Sequence, residues 1–360
     1  MRKLRKRWMA GVLAGIVLCA MAACGTAGGK DDGTPVLEST ATVAPEQSSG
    51  EGEGTVQPEA TATPVPTEAP TATPEPTHAP AKNEGIEIPA EYRKLKKNAS
   101  GTVEEITYTT KDYYGTGEEM IKPAYVYLPY GYDSEKQYNV LFLMHSGGGD
   151  ETEWGLHKEF SSAKLVLDNL IYYGDIEPLI VVAANGRTGV HVANRADSYN
   201  GFKDFGKELR EDLIPYIDAN YATYAEYSAE GYDETAARDH RAIAGFSFGA
   251  MQAINIGLCE CYDLIGYYGA FSPATATYEA EEIVKCLDAF ESYEIGYIYE
   301  VCGDMDNGCF WAGYYALNPL PELTDKVVNG KNLMMQVVPG GHDTQVANLG
   351  LYNFLQLIFK

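Results

Sequence analysis

The sequence predicts an α/β fold for residues 91–360, with a mostly parallel central sheet and helices on both of its faces. Apolar runs of strand length, at 140–144 and 179–183, are typical of strands buried on both faces. Amphipathic helical stretches separate such runs, and the alternation continues to the end of the chain. Strands that alternate with helices form parallel sheets with right-handed crossovers.

The individual elements follow from periodicity. Residues 103–109 and 124–128 alternate like half-buried strands, and further strands are predicted at 140–144, 179–183, 242–244, 264–269, 295–301 and 333–338. Apolar residues at helical spacing predict helices over 160–173, 207–221, 248–258, 279–290 and 346–358. Ligands of such sheets bind at the carboxyl ends of the strands, so catalytic residues should directly follow strands.

Residues 1–23 are predicted to be an export signal. A basic start precedes an apolar run over 8–20, which is too short for a bilayer that needs about 20 helical residues. The run ends in Met21-Ala22-Ala23-Cys24, which resembles a bacterial lipobox. Cys24 is therefore the expected lipidation site of an extracellular protein anchored at the bacterial cell surface. The alternative is an ordinary secretory signal, with Cys24 incidental.

Residues 24–90 are predicted to be a disordered linker. Ten of the 18 prolines lie between residues 25 and 90, and aromatic residues are almost absent there. Such a segment cannot bury enough apolar surface to offset its ordering entropy. The formal net charge of −24 also argues against a nucleic-acid partner, which would need a basic face. No nucleic acid is expected as partner, and the membrane is expected to be contacted only through the lipid anchor.

The candidate nucleophile is Ser247. It lies in Gly245-Phe246-Ser247-Phe248-Gly249, between a predicted strand and a predicted helix. This is the nucleophile-elbow pattern, in which two glycines permit a sharp turn that exposes the serine hydroxyl. A serine hydroxyl needs an adjacent base. His342, in the loop after the last predicted strand, is the expected base.

The candidate acid follows the strand at 295–301. Asp306 is preferred there over Asp304, and Asp343 is a third option that is badly placed because it neighbours His342 in sequence. The resulting chain order of serine, aspartate and histidine is that of the α/β-hydrolase fold.

An oxyanion hole is expected from backbone N–H groups. The glycine-rich stretch His145-Ser146-Gly147-Gly148-Gly149 follows the third predicted strand. The backbone at Ser146 and Gly147 is expected to act with the N–H of Phe248, the residue after the nucleophile. His145 itself is expected to be structural.

Four motifs together resemble carbohydrate esterase family 1, which contains feruloyl esterases and acetylxylan esterases. They are 145–149 with Trp154, 212–217, 240–247 and 340–343. The resemblance covers residues 100–360 and implies Ser247, Asp306 and His342 as nucleophile, acid and base of a secreted esterase. Feruloyl esterases of this type usually carry aromatic residues just after the histidine, where this chain has Thr344 and Ala347. Both acetyl esters and feruloyl esters are therefore candidate substrates.

The predicted function is hydrolysis of feruloyl or acetyl esters on plant cell-wall polysaccharide such as xylan. Trp154, Trp311 and Tyr314 are the expected substrate-binding aromatics. No cofactor is expected, and no metal site is expected from the spacing of the histidines and cysteines. One alternative is an esterase or acyltransferase for another small ester, such as a siderophore ester or a thioester. The other is a non-catalytic, glycan-binding surface lipoprotein. Cys302 and Cys309 bracket the candidate acid and either form a disulfide or stay free.

Overall fold

The computed structural model describes residues 85–189, 199–290 and 292–360. Its centre is an eight-stranded sheet with the strand order β1-β2-β4-β3-β7-β8-β9-β10. The first two strands pair antiparallel with each other, and β2 also pairs antiparallel with β4, whereas all other pairs are parallel. The mostly parallel sheet predicted from the sequence is confirmed. The strands are β1 Thr102–Lys111, β2 Glu119–Leu128, β3 Asn139–Met144, β4 Leu179–Ala184, β7 Arg241–Phe246, β8 Tyr267–Phe271, β9 Tyr297–Gly303 and β10 Leu333–Val338.

The central strands are apolar at nearly every position because both faces of the sheet are covered. In β3, Phe142 and Met144 pack into one apolar cluster, and Leu141 and Leu143 pack into the cluster on the other face. Successive side chains of a strand point to opposite faces, so a strand between two cores cannot show a polar side.

Helices, some with π-helical stretches, surround the sheet in the part of the chain that the structure describes. Helix α1 begins after Ser161, whose hydroxyl accepts a hydrogen bond from the Lys164 N–H, and ends at Gly174 with a φ of 74°. Both are favoured cap residues for these positions. The helices are α1 Ser162–Tyr173, α2 in the consecutive stretches Phe205–Glu208, Leu209–Leu213 and Ile214–Asn220, α3 Phe248–Gln252 with its extension Ala253–Glu260, α4 Ala280–Asp288, α5 Asn307–Leu317, α6 Leu320–Leu323 and α7 Thr344–Leu355.

The structure differs locally from the sequence expectations. The strand predicted at 124–128 begins already at Glu119, and the short helix Leu320–Leu323 was not predicted. The strand expected at 264–269 begins only at Tyr267, because Leu264 and Ile265 form a buried turn after α3. Helix α5 was not expected, since aromatic residues and Gly308 and Gly313 obscure any amphipathic pattern. The stretch between α2 and β7 contains a small hairpin, formed by β5 Glu226–Ser228 and β6 Gly231–Asp233.

A buried ion pair fixes the start of the central strand β7. The Arg241 guanidinium contacts the Asp218 carboxylate of α2 at 2.5 Å, and both side chains are about 1% exposed. Asp218 also accepts hydrogen bonds from Tyr232 at 2.6 Å and Thr223 at 2.8 Å. Because these donors satisfy the buried carboxylate, the pair ties the hairpin and α2 to the strand that carries the candidate nucleophile.

No helix among the described residues is both long and apolar enough to cross a membrane.

Candidate active site

Ser247 occupies a strained turn between β7 and α3. Its φ is 59° and its ψ is −110°, a conformation that residues with a side chain rarely adopt. The flanking glycines are required by close backbone approach: a Cβ at Gly245 would come within 2.7 Å of the Met144 carbonyl, and one at Gly249 within 2.5 Å of it. The sharp turn therefore exists because the sequence supplies glycine on both sides of the serine.

His342 and Asp306 lie on the two loops next to this turn. His342 Nε2 is 3.0 Å from Ser247 Oγ, and His342 Nδ1 is 2.7 Å from Asp306 Oδ2. Asp306 precedes α5 in the position where an aspartate normally caps a helix, yet its carboxylate makes no cap hydrogen bond. The carboxylate faces the imidazole instead, so it accepts the Nδ1–H and leaves the Nε2 lone pair for the serine hydroxyl.

The two competing aspartates have other partners. Asp304 Oδ1 accepts a hydrogen bond from the Gly340 N–H at 3.1 Å, which joins the two loops. Asp343 accepts from the N–H groups of Gln345 and Val346 and caps α7. These backbone hydrogen bonds also lower the pKa of the Asp343 carboxyl. Among the described residues, Asp306 is the only one of these three aspartates that forms a hydrogen bond with the His342 imidazole.

The glycine-rich loop lies against the residue after the nucleophile. A Cβ at Gly147 would come within 2.9 Å of the Phe248 ring. Neither the Gly147 N–H nor the Phe248 N–H has an acceptor among the described residues. Two backbone donors beside Ser247 are thus available to bind a developing negative charge.

The structure does not support the expectation that the Ser146 backbone contributes to the oxyanion hole. Its N–H donates to Glu153 Oε2 at 2.7 Å, so this donor is already occupied. An N–H that already donates to a carboxylate is not free to donate to a substrate oxygen.

Two side chains hold the glycine-rich loop: Arg187, which the sequence did not single out, and His145, which it predicted to be structural. The Arg187 guanidinium donates to the carbonyls of Gly147 at 3.1 Å and Gly149 at 2.6 Å. His145 is buried, and its Nε2 accepts from the Gly186 N–H at 3.0 Å while its Nδ1 lies 2.7 Å from the Ser146 carbonyl. Burial lowers the pKa of His145 to about 4, so the ring is neutral and structural, as expected. In the sequence, the only feature that points to Arg187 is its position after a predicted strand.

The three predicted substrate-binding aromatics occupy two different environments. Trp154 is buried in the core, where its Nε1 donates to the Met144 carbonyl at 3.0 Å. It also borders a cavity of about 210 Å³ whose lining includes Phe246, Thr344 and Ala347. The Phe246 ring packs against the His342 ring at 4.6 Å between centroids. The cavity thus lies next to the candidate base, at the place where the small Thr344 and Ala347 stand.

Trp311 and Tyr314 lie on α5 and are largely exposed. Trp311 is 49% exposed and stacks on Tyr315 at 5.6 Å, and Tyr314 is 37% exposed. We call Trp311, Tyr314 and Tyr315 the α5 aromatic cluster. It begins five residues after Asp306, so it flanks the site rather than filling it.

The cysteines of the described residues are all free, so the disulfide alternative for Cys302 and Cys309 is not realised. Cys309 Sγ lies 3.4 Å from His342 Nδ1. Burial and the nearby Asp306 carboxylate raise the pKa of the Cys309 thiol, which therefore stays protonated at neutral pH.

The export signal, Cys24 and most of the linker lie outside the described residues. The end of the predicted linker, at 85–90, belongs instead to the folded domain: Ile88 is buried in its core, and the Gly85 carbonyl accepts hydrogen bonds from Gln336 and Asn353.

Comparisons with known proteins agree with this geometry. A sequence profile described as "Putative esterase" matches residues 117–350. An endo-1,4-beta-xylanase/feruloyl esterase of Xylanibacter ruminicola is 34% identical over 232 residues, which are 62% of this chain and 28% of that protein. Endo-1,4-beta-xylanase Y of Acetivibrio thermocellus is 36% identical over 153 residues, 42% of this chain and 13% of that protein. The chain thus spans less than a third of the length of these relatives.

Solved structures show the same fold. A ferulic acid esterase of carbohydrate esterase family 1 from the anaerobic fungus Anaeromyces mucronatus has 27% identity and a TM-score of 0.59, over 76% of this chain and 97% of that one. The feruloyl esterase module of Clostridium thermocellum has a TM-score of 0.62 at 24% identity, over 76% of this chain and 93% of that one. The α/β-hydrolase fold and the resemblance to carbohydrate esterase family 1 are confirmed.

Proposed function

Because this chain belongs to the esterase family and has the fold of carbohydrate esterase family 1, we propose that it is a serine carboxylic ester hydrolase. The observation that carries the proposal is the continuous chain of contacts from Asp306 through His342 to Ser247, at 2.7 Å and 3.0 Å. A nucleophile, a base in reach of it and a group that orients the base are the parts that covalent acyl transfer requires.

In the proposed reaction, Ser247 Oγ attacks the ester carbonyl while His342 Nε2 takes its proton. His342 then gives this proton to the leaving alcohol, which leaves an acyl group on Ser247. A water molecule, deprotonated by the same Nε2, attacks the acyl-enzyme and releases the acid. Asp306 keeps the imidazole in the tautomer that can accept a proton and stabilises the imidazolium that forms.

The backbone N–H groups of Gly147 and Phe248 are proposed to bind the oxyanion of each tetrahedral intermediate. Both belong to rigid parts of the site, since the Arg187 guanidinium holds the Gly147 carbonyl and Phe248 begins α3. Donors that are fixed in advance cost no reorganisation when the charge develops, and each contributes about 10²–10³ to the rate.

We propose feruloyl or acetyl esters of xylan or a similar plant cell-wall polysaccharide as substrates. Two matched relatives carry xylanase or feruloyl esterase names, and a structural neighbour is a ferulic acid esterase. The exposed α5 aromatic cluster offers ring faces on which sugars of the polymer could stack. The cavity near Thr344 and Ala347 provides space beside the base for part of the acyl group.

The experiment that tests the substrate class uses the purified protein on feruloylated arabinoxylan and on acetylated xylan. The released acids are identified by chromatography, with Ser247→Ala as the matched inactive control. Release of ferulate or acetate by the wild type alone supports the proposal. If neither polymer loses acid but a siderophore ester or a thioester is cleaved, the protein is an esterase and the proposed substrate class is wrong. Binding to insoluble xylan without any ester cleavage would instead favour the non-catalytic alternative.

The cellular location is a separate proposal, supported by the basic start, the short apolar run and the small residues before Cys24. We propose export and lipid attachment at Cys24, with the part of the linker before residue 85 as the tether of an extracellular domain. Metabolic labelling with a palmitate analogue should tag the wild type and leave Cys24→Ser unlabelled. Equal labelling of both proteins would contradict the anchor.

A further inference from the structure

Three different ligand-type side chains meet at the side of His342 that faces away from Ser247. They are the carboxylate of Asp306, the thiol of Cys309 and the Nδ1 of His342, and their ligand atoms all lie within 4.8 Å of one another. Cys309 lies in the first turn of α5, three residues after Asp306, which directly precedes this helix, so both side chains approach the imidazole from the same end of α5. The sequence could not show this set because His342 is more than 30 residues away.

We propose that Asp306, Cys309 and His342 form an inhibitory binding site for a divalent cation of zinc type. Thiolate, imidazole and carboxylate are the three protein ligands that Zn²⁺ prefers. Three protein ligands leave a fourth tetrahedral position for water. The inhibitory part of this inference rests on the proposed esterase function, whereas the binding part does not.

The sulfur–nitrogen distance already fits a tetrahedral site, whereas the oxygen–nitrogen distance is shorter than such a site requires. With metal bonds of about 2.3 Å to sulfur and about 2.0–2.1 Å to nitrogen, sulfur and nitrogen should be about 3.5 Å apart. Cys309 Sγ and His342 Nδ1 are 3.4 Å apart in the structure. A carboxylate oxygen and Nδ1 should be about 3.4 Å apart around the same ion. Asp306 Oδ2 and Nδ1 are at 2.7 Å, so the cation would enter by widening this one contact by about 0.7 Å.

The cation would stop catalysis by changing which imidazole nitrogen carries the proton. A bond between the metal and Nδ1 uses the lone pair of that nitrogen, so the ring proton moves to Nε2. Nε2 lies 3.0 Å from Ser247 Oγ and would then be a donor that cannot accept the serine proton. The thiol loses its proton to the solvent when sulfur binds the metal, so one proton is released for each ion bound.

The shape of the site allows an ion to arrive from solvent. The His342 side chain is 40% exposed, whereas Asp306 is only 8% exposed. Cys309 is partly exposed at the start of α5. The imidazole is thus the most exposed of the three ligands, so a cation that arrives from solvent would meet it first.

Calorimetric titration of metal-free protein with ZnCl₂ tests the site directly. The wild type should show a binding event that Ser247→Ala retains, because Ser247 is not a ligand. Cys309→Ala and Cys309→Ser should weaken this event at least about tenfold, since even residues that only support a metal ligand contribute about 10–100-fold to affinity. Cys286→Ala is the matched control for removal of a distant thiol and should bind as the wild type does. Equal affinity in the wild type and in both Cys309 variants would overturn the site.

Inhibition is measured in parallel, with each variant compared with its own metal-free rate on 4-nitrophenyl acetate. ZnCl₂ should inhibit the wild type reversibly, with EDTA restoring the rate, and should inhibit the Cys309 variants only at concentrations at least about tenfold higher. MgCl₂ should not inhibit, because this hard cation prefers oxygen ligands. If the wild type binds zinc but does not hydrolyse the ester, the proposed esterase function is refuted and the proposed zinc site stands. An active wild type that zinc does not inhibit would refute the inference alone.

Discussion

Replacing Asp306 by asparagine tests the assignment of the orienting acid, which the sequence left open between neighbouring aspartates. The substitution keeps the size of the side chain and removes its negative charge. An asparagine amide can also donate to Nδ1, which would place the ring proton on Nε2, where it faces Ser247. We therefore expect the loss of both the charge and the correct tautomer.

The magnitude follows from the geometry. The carboxylate of Asp306 is 8% exposed and lies 2.7 Å from the imidazole nitrogen, so charge centres about 4 Å apart interact with about 4 kcal/mol at an effective dielectric constant of 20. This energy corresponds to a factor of about 10³, and an aspartate-to-asparagine change in a comparable triad costs about 10⁴. The expected decrease of kcat/KM is therefore about 10³- to 10⁴-fold.

The assay is the initial rate of 4-nitrophenyl acetate hydrolysis, with the Tm of each variant as the folding control. Asp304→Asn is the matched comparison, because Asp304 binds only the Gly340 N–H in the opposite loop and should lose less than about tenfold. If Asp306→Asn keeps more than a tenth of the wild-type kcat/KM, or if Asp304→Asn loses as much, the assignment of the acid is wrong.

Three further predictions concern the loop, the aromatic cluster and a buried carboxyl. Glu153→Gln weakens the hydrogen bond that holds the Ser146 N–H, so kcat should fall about tenfold with little change in KM. An unchanged kcat would refute the role of Glu153 in holding the loop. Trp311→Ala removes an exposed stacking surface and should raise KM for xylan about threefold to tenfold, with a smaller effect on 4-nitrophenyl acetate; equal effects on both would argue against a polymer contact. Burial, with a smaller contribution from Asp306, raises the pKa of Glu300 to about 8. When the pKa of an acid is higher in the folded than in the unfolded state, the protein loses stability as the pH rises from the unfolded pKa to the folded pKa. The wild type should therefore lose about 4 kcal/mol through this group between pH 5 and pH 9, and Glu300→Gln should show a smaller loss in chemical unfolding. Identical pH profiles of the two proteins would contradict the buried acid.

Periodicity was sufficient to predict the parallel sheet because both faces of its central strands are buried. The same periodicity placed Ser247 between a strand and a helix and His342 after the last strand. The glycines beside Ser247 identify the turn, since their neighbours approach too closely for any Cβ. These features are local, and a single sequence therefore contains them.

Features that depend on distant partners could not be predicted in this way. Asp304 and Asp306 follow the same strand, and only the position of the Gly340 N–H and of the imidazole distinguishes them. The Ser146 N–H binds Glu153, a contact that no spacing rule indicates. The proximity of Cys309 to His342 depends on helix α5, whose aromatic composition gave no helical signal.

Covalent labelling with a fluorophosphonate, followed by peptide mass mapping, tests most directly whether Ser247 is the nucleophile. An activated serine attacks phosphorus much as it attacks an ester carbonyl, so the wild type should gain one adduct, located on Ser247, as activity is lost. Ser247→Ala should remain unlabelled, and Asp306→Asn should be labelled far more slowly than the wild type. An adduct on another residue, or full labelling of Ser247→Ala, would contradict the assignment of Ser247 as the nucleophile.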